Sequence, residues 1–109
     1  MNAALIAGLR AQCGGPRDGA LLRFSLGNAL LEQGDHAAAV DEFRRAVSFD
    51  ATYSAAWKLL GKACLGSGDA TGAAEAWRQG IDVARQRGDK QAEKEMAVFL
   101  RRIEQKDPS

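Results

Sequence analysis

Apolar residues recur through this chain at three- and four-residue steps, the spacing of a single helix face. Leu22, Leu26, Ala29 and Leu30 form one such stripe. Gly34 interrupts it, since glycine takes the left-handed conformation that helix ends often need. Asp35 follows, a side chain suited to accept a backbone N–H at the start of the next helix. A second stripe carries Ala39, Val40, Phe43, Ala46 and Val47 and fades at Asp50-Ala51-Thr52. The plan then starts again: Trp57, Leu60, Gly61 and Cys64, the turn Gly68-Asp69, and Ala73, Trp77, Gly80 and Ile81. The pattern predicts two helix hairpins, each with apolar faces that need neighbours.

The two hairpins are copies of one unit. Residues 20–53 and 54–87 superpose at a shift of 34, which lays Leu26 on Leu60, Gly27 on Gly61, Ala29 on Ala63 and Gly34-Asp35 on Gly68-Asp69. Non-identical pairs keep their chemistry, as in Phe43 with Trp77, Asp41 with Glu75 and Val47 with Ile81. A fixed period of this length marks a stacked array. Gly27, Gly61 and Gly80 each cost about 1 kcal/mol against Ala in a helix. They make sense where two helices approach closely, with Ala39 and Ala73 expected as the small facing side chains.

The flanks follow the same phase. Counting back 34 from Ala39, Phe43 and Val47 reaches Leu5, Leu9 and Cys13, so residues 1–15 read as the second helix of a preceding unit. Beyond Arg87, where Gly88-Asp89 should stop a lengthened helix, residues 89–106 predict a charged capping helix. Its Met96, Phe99, Leu100 and Ile103 match the spacing of Trp57, Leu60, Gly61 and Cys64 at an offset of 39, which sets Leu100 in the glycine's place. A polar terminal helix is what a stacked array needs to stay in solution.

Composition agrees with one small all-α domain. The chain has 109 residues, few aromatics, two prolines and a net charge of +1, so no overall field marks it for nucleic acid or an anionic membrane. No run approaches the ~18 apolar residues of a membrane span. Cys13 and Cys64 lack metal or redox spacing and read as structural thiols on apolar stripes. The apolar run 3–9 lacks the basic flank and cleavage site of an export signal, so the cytoplasm is the expected compartment.

Leu26-Gly27, Leu30, Ala39, Phe43 and Ala46, then Trp57, Leu60-Gly61, Ala73 and Trp77, resemble the tetratricopeptide repeat signature of Trp, Leu-Gly, Tyr, Ala, an aromatic, Ala and Pro over 34 residues. The first unit departs from it with Arg23 where Trp57 stands in the second. Leu30 and Cys64 replace the Tyr, Gly80 the second Ala, and Ala51 and Arg85 the Pro. The resemblance implies a right-handed superhelical stack of antiparallel hairpins, about six helices in all.

Catalysis has little to work with. The single histidine, His36, sits beside a turn, and no nucleophile–base set can be built from it. Acid pairs such as Asp41-Glu42 read as solvated helix faces. No catalytic residue, cofactor or metal is expected. The resemblance implies instead a concave groove lined by first helices that holds an extended peptide. Residues off the packing stripe should point into it: Leu21, Phe24, Asn28 and Leu31, then Ala55, Lys58, Leu59 and Lys62, then Lys94, Ala97, Val98 and Arg101. That set is apolar at one end and basic at the other, which suits an acidic peptide or a C-terminal carboxylate. The two-carboxylate clamp of chaperone-binding relatives is incomplete, because Phe24, Leu59 and Val98 do not fit it. The expected partner is another protein or peptide, with no nucleic acid and no membrane. The chain is expected as a monomer or homodimer, and the alternative role is a structural or self-associating subunit that docks through its N-terminal helix, where Leu5, Ile6 and Leu9 need cover.

Overall fold

The computed structural model describes residues 3–106. Six helices follow one another: α1 (Ala3–Gln12), α2 (Ala20–Glu32), α3 (His36–Phe49), α4 (Ser54–Gly66), α5 (Ala70–Arg87) and α6 (Lys90–Lys106). Each packs chiefly on its chain neighbour, in the manner of an all-α helical repeat.

Three connections share one design. Gly34, Gly68 and Gly88 take φ of 83°, 88° and 73°. The next residue's N–H, from Asp35, Asp69 and Asp89, donates back to the carbonyls of Leu30, Cys64 and Ala84. This pattern closes the end of a helix. The same three aspartates then cap the following helix, accepting from the N–H groups of Ala38, Gly72 and Ala92. The Gly-Asp pair is therefore a stop and a start in two residues.

The helix glycines pack differently from the expectation. Gly27 lies under the ring of Phe43 and Gly61 under the indole of Trp77, while Gly80 is enclosed by Met96 and the Cβ of Trp57. The facing groups are thus large rings and a thioether, not Ala39 and Ala73, although both alanines are fully buried. A missing Cβ leaves room for the ring, and the Trp77 Nε1–H locks the fit by donating to the Lys58 carbonyl at 3.0 Å. Trp57 is only half-buried, and its Nε1–H donates to the Ala51 carbonyl at 2.8 Å.

Two register details also differ. On α1 the inward residues are Ile6, Leu9 and Cys13, whereas Leu5 is 54% exposed. Ala39 and Ala73, its counterparts, are covered within their own hairpins, and α1 packs only on α2. On the last helix the offset is 36, not 39: α4 begins at Ser54 and α6 at Lys90. Ala92 and Met96 are buried as Ala56 and Leu60 are. Ala97, not Leu100, thus stands in the place of Gly61. The longer offset rested on matching apolar identities along a charged helix, and burial selects the shorter one.

The segment between the hairpins is tied from several sides. The Arg87 guanidinium donates to the Thr52 carbonyl at 2.7 Å, and the Ser54 hydroxyl donates to Asp89 at 3.1 Å. Asp50 accepts from both the N–H and the hydroxyl of Thr52, which holds its carboxyl below the ordinary range.

Candidate functional site

The first helices of the hairpins make one face. The backbones of α2 and α4, and of α4 and α6, come into contact, whereas those of α3 and α5 do not. The stack therefore closes along α2, α4 and α6 and splays along α3 and α5.

Its apolar end is built on α2. Leu21 is 69% exposed at the start of the helix. Phe24 is half-buried and stacks on Tyr53 with ring centroids 4.8 Å apart, while it meets Phe43 at a tilt of 56° and 5.8 Å. Asn28 and Leu31 follow, both half-buried. Tyr53 was not legible as a site residue, because it lies in a connection and outside any helical period. Its burial pushes the phenol up from its usual pKa.

On α4 the two lysines behave differently. Lys58, expected to point into the groove, is half-buried and bound to Glu95 of α6 at 3.1 Å. Lys62 is exposed, and its ammonium sits 4.8 Å from the centroid of the Phe99 ring, a cation–π contact. Phe99 in turn packs against Trp77 at 5.3 Å. Leu59 is half-buried beside them, as is Ala55. With the corrected register, α6 offers Gln91, Lys94, Glu95 and Val98 where α4 offers Ala55, Lys58, Leu59 and Lys62. Lys94, Val98 and Arg101 are exposed and Ala97 is half-buried. Arg101 stands opposite the C-terminal end of this strip, in the position of Leu65 and Leu31. Among the described residues no acid pairs with Lys62, Lys94 or Arg101.

The splayed side carries a cleft of about 470 Å³. Leu60, Cys64 and Trp57 form its floor, and Arg44, Glu75 and Asp82 stand on its walls. The wall charges are of both signs, and Arg78 at its edge is bound to Glu104 at 3.2 Å. Cys64 is buried, which pushes its thiol up and leaves it unreactive.

Arg23 is the other departure. Its guanidinium spans Asp18 at the start of the hairpin and Glu42 on α3, with Arg45 completing the set. Asp18 also accepts from the Gly14 N–H at 2.8 Å. Glu42 is thus buried and paired, not part of a solvated face as the Asp41-Glu42 reading had it. An arginine in the signature tryptophan's position, matched by Glu42 where the second unit has Ala76, was the available signal.

His36 is half-buried against Gly66, with its ring where a Cβ of that glycine would fall. Among the described residues no group of His, Cys, Asp and Glu is placed to hold a metal ion, and no helix is long and apolar enough to cross a membrane.

A stack of hairpins closed along its first helices, with glycine under aromatic rings in each unit, defines a helical-repeat protein of the kind that generally serves as a protein-interaction module. The profile of the tetratricopeptide repeat family matches residues 20–63. A TPR repeat-containing protein of Pseudomonas aeruginosa is 50% identical over 100 residues, covering 92% of this chain and 95% of that protein. The chain belongs to the tetratricopeptide repeat family. A Bordetella parapertussis protein of known solution structure is 45% identical, with a TM-score of 0.81 over 94% of this chain and 90% of that one. A tetratricopeptide repeat domain protein from Salinibacter ruber shares the fold, with a TM-score of 0.76 and 23% identity over 83% of this chain and all of its own.

Proposed function

We propose that this protein is a non-catalytic adaptor of the cytoplasm that holds an extended, acidic segment of another protein along α2, α4 and α6. The observation that carries the reading is the run of exposed cations without acidic partners, Lys62, Lys94 and Arg101, next to the half-exposed Phe24–Tyr53 stack. Carboxylates of a ligand would meet the cations, and one apolar side chain would lie on the aromatic pair and Leu21. Lys58 contributes less, because Glu95 already neutralises it.

Calorimetry with a Glu-rich peptide that carries one Leu tests this. Binding should be lost in Lys62→Glu combined with Lys94→Glu, and the fold should survive, since both side chains are exposed. Unchanged affinity in that variant would overturn the groove reading. The second reading, a self-associating subunit, is favoured by one observation, the exposure of Leu5.

A further inference from the structure

On α4 and α6 the candidate face holds four cations, Lys58, Lys62, Lys94 and Arg101, and one acid, Glu95. That acid is bound to a cation of the same face, with the Lys58 ammonium donating to the Glu95 carboxylate at 3.1 Å. The other ion pairs of α6 among the described residues, Arg78–Glu104 and Arg85–Glu93, tie it to α5 instead.

Phe24, Lys58 and Lys94 occupy one repeat position on α2, α4 and α6 in turn. An extended segment that reaches from the Phe24–Tyr53 stack to Lys94 therefore passes over Lys58. The backbones beneath the pair are fixed from the core. The Lys58 carbonyl accepts from the Trp77 Nε1–H at 3.0 Å, and Met96, next to Glu95, is fully buried against Gly80. The two charged side chains stand out from these anchors and stay partly open, at 26% and 37% exposure. The pair can part by side-chain rotation, with no shift of either helix. An ion pair this exposed is weak, so a second carboxylate can compete for the ammonium.

We propose that Glu95 holds the place of a ligand carboxylate: it occupies Lys58 in the free protein and gives way to an acidic side chain of the bound segment. This inference rests on the acidic-segment reading of the face. An acid of the ligand at that point exchanges one carboxylate for another and gains little from Lys58. The unpaired Lys62, Lys94 and Arg101 then carry most of the attraction. Glu95 thus weakens acidic ligands as a class and restricts binding to segments that also engage the unpaired cations.

Calorimetry with the Glu-rich, single-Leu peptide provides the test. Glu95→Gln should bind it about two- to fivefold more tightly, the range of a partly exposed ion pair. In a Lys58→Gln background the same change should gain less, because no ammonium is freed. Glu93→Gln removes an equal charge from α6 where Arg85 holds it, and should leave affinity unchanged. An equal gain from Glu95→Gln in both backgrounds, or from Glu93→Gln, is a general charge effect and overturns the proposal. Unchanged affinity in Glu95→Gln also overturns it, and leaves the groove reading standing if Lys62→Glu with Lys94→Glu still abolishes binding. An unaltered protein that binds no acidic peptide sinks both. The Glu95 side-chain carboxyl resonance of the unaltered protein gives a second readout. On saturation with peptide it should move to the position it takes in free Lys58→Gln; a resonance that stays in place overturns the exchange.

Discussion

Arg23 grips Asp18 through two parallel hydrogen bonds, Nε to Oδ1 and Nη2 to Oδ2, both 2.8 Å long. The same guanidinium reaches Glu42 at 2.8 Å. All three side chains are largely buried, at 12–13% exposure. Removing the arginine leaves Asp18 without a cation and Glu42 with only the exposed Arg45. Arg23→Ala should therefore lower Tm by about 5–10 °C, more than an exposed ion pair could. Arg23→Trp should also destabilise, because Glu42 is left with only the exposed Arg45 and Asp18 with no cation. Adding Glu42→Ala reproduces the Trp57–Ala76 pairing of the second unit and should recover most of the loss. Thermal melts of the three variants decide it.

The same pair gives stability a dependence on acid. The Arg23 guanidinium and the Gly14 N–H hold the Asp18 carboxyl well below the ordinary carboxylate range. The unfolded chain then binds this proton more readily than the folded one. The contribution is complete above the ordinary carboxylate pKa of about 3.9 and is lost as pH falls below it. Asp18→Asn should be less stable at neutral pH and should flatten the acid limb of a Tm-versus-pH profile. The Gly14 amide resonance should move with the transition in the unaltered protein.

Two glycines should respond in opposite directions to the same change. Gly61→Ala should destabilise by about 1–3 kcal/mol, because the added methyl meets an indole pinned by its hydrogen bond to Lys58. Gly8→Ala should stabilise by about 0.5–1 kcal/mol, since nothing lies within 4 Å of the new Cβ. Denaturant titrations followed by far-UV circular dichroism would separate the two.

Lys58 and Lys62 should not be equivalent. Lys58→Gln should weaken acidic-peptide binding less than Lys62→Gln, because Glu95 already holds Lys58. Affinity should fall as salt is raised, as expected for exposed charges. Calorimetry at two salt concentrations checks both statements.

The cysteines should label in sequence. Cys13 is half-buried at the end of α1, while Cys64 is buried with its thiol pushed up. A native thiol assay should modify Cys13 first and reach Cys64 only on unfolding.

The sequence pattern made the hairpins legible because their turns use one two-residue device and their stripes repeat in phase. Residue identity alone did not show which side chain fills the space above a glycine: Phe43 and Trp77 reach across the hairpin, and no local period encodes that reach. The register of α6 was obscured for a related reason. Apolar residues at 96, 99, 100 and 103 fit two offsets, and only the burial of Ala92 and Met96 distinguishes them. On the candidate face, the cations were legible as positions. Their neutralisation was not, because Lys58 and Glu95 are 37 residues apart and the wrong offset separated them. Arg23 was visible as a departure, yet its partners became clear only once α1, α2 and α3 were assembled.

The short stretch between the hairpins changes how the molecule comes apart. In a simple stack, each unit speaks only to the next, and melting can start at one end and spread. Here Trp57 and Arg87, from the first and last helices of the second unit, both hold carbonyls of residues 51 and 52, and Asp89 holds Ser54. Freeing the first hairpin therefore disturbs contacts reaching to the start of α6. The array should lose structure in one sharp step, with its cooperative length set by the whole chain and not by the 34-residue unit.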